Sequence, residues 1–149
     1  MTPGRNELPI IKQQRMSQED IRWEQRLQNY NKAPGHLSQA LQIEAPCMIQ
    51  KAGIIQLFEM RFEPGWNLLK DFMEAQGLQD VKSPRSALKK AYESGLISHG
   101  HVWMELRPDR NLSFHTYHEQ RASELEALIR RKYFPLLEAL QRDFNAKTA

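Results

Sequence analysis

The sequence has a single cysteine, Cys47, so no disulfide can form within the chain, which suits a reducing cytoplasm. Cys47 lies among apolar neighbours, and its expected role is packing rather than thiol chemistry. No apolar run approaches the roughly 18 residues needed to cross a bilayer, so no membrane association is expected. Met1 to Gln14 lacks an apolar block followed by a small-residue cleavage site, and no signal peptide is expected. No segment alternates with period two for long enough to make a convincing strand. Zinc spacing and a phosphate-cradling glycine loop are missing. So is any acidic cluster with metal-ligand spacing, which argues against a two-metal nuclease. No cofactor or metal is expected for this chain.

What is present describes a soluble helical protein. Apolar residues make up 40% of the chain and the mean hydropathy is −0.68, and 149 residues suffice for one domain with a real core. The net charge of +3 permits an anionic partner without demanding one. The tightest basic run, Arg130-Arg131-Lys132, reads as a solvated helix face rather than a binding patch.

Residues 1–16, with Pro3, Gly4 and Pro9, show no sustained periodicity and are expected to form a flexible tail; residues 17–149 are expected to form one domain. Ser17 is a candidate N-cap for a first helix carrying Trp23, Leu27, Tyr30, Leu37 and Leu41. After Pro46, a stripe of Ile49, Ala52, Ile55, Phe58, Phe62, Trp66, Leu69 and Met73 predicts one long helix facing a core, stopped by Gly77. Ser83 and Pro84 open a third helix and Gly95 closes it. A short fourth piece covers Gly100 to Leu106. The last helix spans about His118 to Phe144, with a kink expected at Pro135. The fold class is therefore all-α: an up-and-down antiparallel bundle of four main helices plus a short one. Pro34-Gly35 and Pro64-Gly65 fall inside periodic stretches, where proline costs about 3 kcal/mol and glycine about 1 kcal/mol. Each pair requires a break, a kink or compensating packing.

The densest chemistry lies between the fourth and last helices, from Arg107 to Glu119. A neutral imidazole such as His115, with a pKa near ~6.5, can take a proton from a ribose 2′-hydroxyl or return one to a leaving oxygen. The planar fork of Arg110 matches two phosphate oxygens. Base plus phosphate clamp is the minimum for metal-independent RNA cleavage. On spacing alone a bland alternative stands beside it: Arg110 bonding helix-end carbonyls, His115 as a satisfied core histidine, and Tyr117 packing. His99 and His101 flank Gly100 as a metal pair without a third ligand or as an exposed turn. Glu59 and Glu63 form either part of a solvated helix face or carboxylates that support the arginine in a cleft. Trp66 and Trp103 read as core or dimer contacts.

Over roughly Arg22 to Arg142 the chain resembles the nucleotidyltransferase substrate-binding family of the HEPN superfamily, which includes HepT-like toxins. The resemblance is carried by the segment Lys51 to Glu59, Phe62-Glu63, Trp66, Leu69-Lys70-Asp71, Ser83-Pro84-Arg85 and Ala91 to Ile97. Trp103, Asp109-Arg110-Asn111, His115-Thr116-Tyr117 and Tyr133 to Leu137 complete it. The family signature is Arg, a polar residue, three residues of any kind, His, one residue, then Tyr, and here it is complete as Arg110, Asn111, His115 and Tyr117. The resemblance implies a homodimer or higher homo-oligomer in which two motifs share one cleft, and metal-independent cleavage of an RNA substrate. It also implies a minimal nucleotidyltransferase partner that neutralises the toxin by adding AMP to Tyr117, using magnesium and ATP of its own. His115 and Arg110 would be catalytic and Asn111 a positioning hydrogen bonder. The chain departs from the usual pattern at Pro34-Gly35, Pro64-Gly65, Asn67, Pro108 and His118.

Three functions follow as expectations: a cytoplasmic HepT-like RNA endonuclease; a non-catalytic subunit presenting nucleotide or substrate to the same nucleotidyltransferase; or a scaffold that keeps only the fold.

Overall fold

The computed structural model describes residues 18–78, 81–106 and 118–148. The expected tail 1–16, the candidate cap Ser17 and the motif residues Arg110, Asn111, His115 and Tyr117 lie outside the described residues. Helices α1 (Gln18–Lys32), α2 (His36–Ala40), α3 (Met48–Ala75), α4 (Pro84–Glu93), α5 (Gly100–Glu105), α6 (Glu119–Leu128) and α7 (Phe134–Thr148) follow in order, with a π-helix at Ile129–Tyr133 joining the last two. Among the described residues there is no strand, and none of the helices is long and apolar enough to cross a membrane.

The helices alternate in direction, as their contacts show. Along α1, Trp23 meets Phe72 (ring centroids 5.0 Å apart) while Arg61 bonds the Tyr30 carbonyl (2.7 Å), so α1 runs against α3. Leu96 lies near Met73, and Trp103 lies edge-on to Phe62 (6.4 Å), so the chain through α5 also runs against α3. Along the last rod Ser123 meets Lys51, Tyr133 meets Phe58 and Phe144 meets Phe72, in parallel with α3. An all-α, up-and-down bundle results, with one continuous core cluster.

Local chemistry explains the element ends. Ser83 Oγ accepts from the Ser86 N–H (3.2 Å), and Pro84 occupies the first turn, where its missing N–H costs nothing. Gly77 (φ +89°) and Gly95 (φ +78°) take the left-handed backbone that stops α3 and α4. Cys47 differs from expectation: it is exposed at the N-cap of α3, where its N–H donates to Gln50 Oε1 (2.8 Å). Ile49 also departs from the core stripe, at 84% exposure. It lies in the first turn of α3, before the neighbouring helices close over that face.

The three interior prolines have three different outcomes. Residue 34 would donate its N–H to the Tyr30 carbonyl if α1 continued, and a proline cannot. The helix ends at Lys32, and the Arg61 Nη1 donates to the orphaned carbonyl instead. Pro64 stays inside an uninterrupted α3. Its companion Gly65 is buried where a Cβ would find Leu137, Leu140 and Tyr30 at 3.5–3.6 Å, ordinary contact distances. Pro135 follows the π-helix, in which the Phe134 N–H reaches back to the Ile129 carbonyl. That wider turn takes up the crowding between a proline ring and the carbonyl four residues earlier.

Two charged links tie distant segments. Arg130 pairs with buried Glu126 (2.7 Å) and donates to the carbonyls of Leu41 and Ile43, fastening the last rod to the end of α2. Only Arg131 and Lys132 of the basic run are exposed, and Lys132 pairs with Glu105 (3.7 Å). The second link is the Arg26–Asp71 pair between α1 and α3. It is lopsided, because the Arg26 side chain is 38% exposed and that of Asp71 only 5%. Arg26→Ala should lower the unfolding free energy by about 3 kcal/mol, because it strands a buried carboxylate. Asp71→Ala should cost only about 1 kcal/mol, because its cation can turn to water. Urea denaturation of both variants checks the asymmetry; equal losses would contradict it.

Candidate functional site

Of the residues singled out for chemistry, Glu59 and Glu63 are described, and both lie on α3 one turn apart. Glu59 is half-buried and Glu63 exposed. The Asn67 amide donates to the Glu63 carbonyl (2.8 Å) and lies 3.4 Å from its carboxylate, so Glu63 belongs to a local exchange on the helix surface.

The described residues on either side of the segment 107–117 meet α3 at two levels. At its start, Leu106 is buried at the end of α5, where Trp103 packs on Phe62 and Glu105 pairs with Lys132 beside Tyr133. At its end, His118 caps α6 with its carbonyl on the Ala122 N–H (2.9 Å). Four residues after that cap's first helical position, Ser123 Oγ accepts from Lys51 Nζ (2.8 Å) in the first turn of α3. Glu59 sits between these levels, eight residues beyond Lys51 and three before Phe62.

A second concavity was not anticipated from the sequence. A cleft of about 270 Å³ opens where α1 breaks into α2, lined by Asn31, Pro34, Arg61, Phe134, Glu138 and Gln141 among others. The Arg61 guanidinium stands over the Tyr30 ring, 3.4 Å from its centroid, with Nη1 on the Tyr30 carbonyl. The fork is thus fixed by two contacts and keeps further N–H donors for an anion. The cleft's rim is an amide ladder: Gln141 Nε2 donates to Asn31 Oδ1 (2.8 Å), and Asn31 Nδ2 donates to Asn145 Oδ1 (2.8 Å). Arg61 was missed because it sits among apolar core positions of α3. The available signal was Pro34, which guarantees an unpaired carbonyl at Tyr30 that some donor must meet.

Trp103 is 3% exposed and belongs to the core, and Trp66 is partly buried against it. His99 and His101 are exposed, with His99 in left-handed backbone at φ 60°. Among the described residues no group of three or more His, Cys, Asp or Glu side chains could hold a metal ion.

Residues 25–146 match the protein family described as nucleotidyltransferase substrate binding protein like. No curated protein matches the chain.

Burial pushes the Tyr30 phenol up to about 12, against the opposing pull of Arg61. Burial, with the Glu105 carboxylate, raises Tyr133 as well. A folded-state pKa above the unfolded value means stability that is complete below about pH 10 and lost as pH rises toward 12, because the unfolded chain ionises first. Tyr30→Phe should therefore flatten the alkaline fall of the urea midpoint. At neutral pH it should change stability little, because the Tyr30 hydroxyl is buried without a protein partner among the described residues. Unfolding curves of both proteins across that range check this; an unchanged alkaline decline would refute it.

Proposed function

The chain belongs to the nucleotidyltransferase substrate binding protein like family, a HEPN-type, HepT-like group, and from that membership we propose that it is a HepT-like toxin, an RNA endonuclease restrained by a minimal nucleotidyltransferase partner. One observation carries this reading: Arg110, Asn111, His115 and Tyr117 stand complete and in order within the matched span 25–146.

In this reading His115 takes the proton of a ribose 2′-hydroxyl, whose oxygen attacks the adjacent phosphorus. The 5′-oxygen of the next nucleotide leaves with a proton, giving a cyclic phosphate and a free hydroxyl. Arg110 offsets the charge that builds on the phosphate oxygens, and Asn111 orients the groups. Glu59 is the carboxylate suited to steady Arg110, since it is half-buried on the stretch of α3 between the contacts of the two helices that flank the motif in sequence. Glu63 suits it less, being exposed and turned to Asn67. The active form is a homodimer that brings two motifs into one cleft. The partner disarms it by joining the Tyr117 oxygen to the α-phosphorus of ATP, with pyrophosphate leaving.

The second reading, a non-catalytic subunit that presents a nucleotide to the same partner, is favoured by the Arg61 cleft, whose fixed guanidinium suits a phosphate.

Induction of the wild type and of His115→Ala in bacteria lacking the partner separates the two. Growth arrest with RNA loss is expected from the wild type only, and purified His115→Ala should cleave roughly a hundredfold or more slowly. Tyr117→Phe should arrest growth even when the partner is present. If the wild type harms neither growth nor RNA, the nuclease reading fails and the binding-subunit reading takes its place.

A further inference from the structure

The exposed face of α4 has a composition that neither the core nor the motif explains. Arg85, Lys89 and Tyr92 follow one another at steps of four and three, which puts them on one side of the helix. All three are exposed, as is Lys82 just ahead of the Ser83 cap. No ion pair holds Lys82, Arg85 or Lys89 among the described residues. Glu93, exposed beside Lys89, is not joined to it. The other arginines that the fold uses are tied down: Arg26 to Asp71, Arg61 to Tyr30, and Arg130 to Glu126 and two carbonyls. Lys82, Arg85 and Lys89 have no such employment among the described residues.

Tyr92 closes the row. Its ring lies over Gly100, where a Cβ would stand only 2.3 Å from two ring carbons, so the close seat requires glycine. Gly100 is buried beneath the ring, yet Tyr92 itself remains 54% exposed. The ring is therefore packed over backbone at Gly100 while more than half of the residue's surface stays open to solvent. An aromatic ring already seated against backbone has less freedom to lose when a flat partner stacks on it.

We infer that the face formed by Lys82, Arg85, Lys89 and Tyr92 binds single-stranded RNA, with the cations on successive phosphates and a base stacked on Tyr92. The combination favours nucleic acid over an acidic protein surface, because cations beside an open aromatic face match a strand that carries both phosphates and stacking faces. The face leads through α5, a helix roughly 9 Å long by its six residues, to the start of the motif segment. It would hold the strand flanking the cleaved phosphate, and so rests on the nuclease reading.

The test is binding of a fluorescein-labelled single-stranded RNA of mixed sequence, followed by anisotropy at several salt concentrations. The full-length chain carries His115→Ala throughout so that the probe survives. Replacing Lys82, Arg85 and Lys89 together by Gln should lower the slope of log affinity against log salt by about 2, from roughly 0.7 per phosphate contact. Lys89→Gln alone should lower it by about 0.7. Tyr92→Ala should weaken binding roughly five- to a hundredfold with the slope unchanged, and Tyr92→Phe should restore it. Wild-type slopes in both the triple variant and Lys89→Gln would overturn the inference and leave the nuclease reading standing. No RNA binding by the parent at low salt would remove both. Loss of nucleotidyltransferase binding in the triple variant, with RNA affinity intact, would show a protein-docking face and overturn the inference.

Discussion

The structure depends on α3 remaining one uninterrupted helix from Met48 to Ala75. Elements on three sides lie on it: α1 through Trp23 and Tyr30, α5 through Trp103, and the last rod through Ser123, Tyr133 and Phe144. A helix surrounded in this way can carry Pro64 without breaking, because packing on several sides outweighs a loss of about 3 kcal/mol at one residue. A proline just past the end of α1 and another in the first turn of α7 each come with a visible adjustment. At Pro34 the helix stops and Arg61 takes over the vacated carbonyl; ahead of Pro135 the turn widens to π.

This constraint also explains what could be read from the residues. Periodicity found the helices because the apolar stripes face a single core: Leu27, Phe58, Leu88, Leu125 and Phe144 are all buried. Ser83-Pro84 and the stops at Gly77 and Gly95 were legible because each is a local device, complete within one turn of chain. The outcomes at Pro34, Pro64 and Pro135 were not, since each is decided by residues far away in sequence. Ile49 and Cys47 failed for a related reason: a stripe shows which side of a helix is apolar, but not how far along it the neighbours extend.

The candidate site divides along the same line. The motif Arg110, Asn111, His115 and Tyr117 is a pattern of residue types at fixed spacing, so sequence carries it by itself. The placement of the helices that flank it could only come from the fold, through the contacts of Trp103 with Phe62 and of Ser123 with Lys51. The fold distinguishes two carboxylates that sequence leaves equivalent, with Glu59 half-buried between those two contacts and Glu63 turned to Asn67. The Arg61 cleft was illegible because an arginine between Met60 and Phe62 gives no sign that its fork meets a carbonyl 31 positions away.

Charge is where residue counting misleads most. A net charge of +3 spread over 21 basic and 18 acidic residues describes a nearly neutral protein. What a polyanion meets, however, is the set of cations left over after folding. Arg26, Arg61 and Arg130 are each committed to an acid, a ring or a carbonyl, and Lys51 to Ser123. The most conspicuous basic run in the sequence is partly dismantled in this way, since Arg130 is structural and Lys132 is paired. Lys82 just ahead of α4, and Arg85 and Lys89 on one side of it, are less conspicuous as letters but are unpaired among the described residues, near an aromatic ring that packs closely over a buried glycine. Local potential follows from such unpaired clustering rather than from the net sum. A surface can therefore be suited to nucleic acid in a chain whose composition barely suggests it.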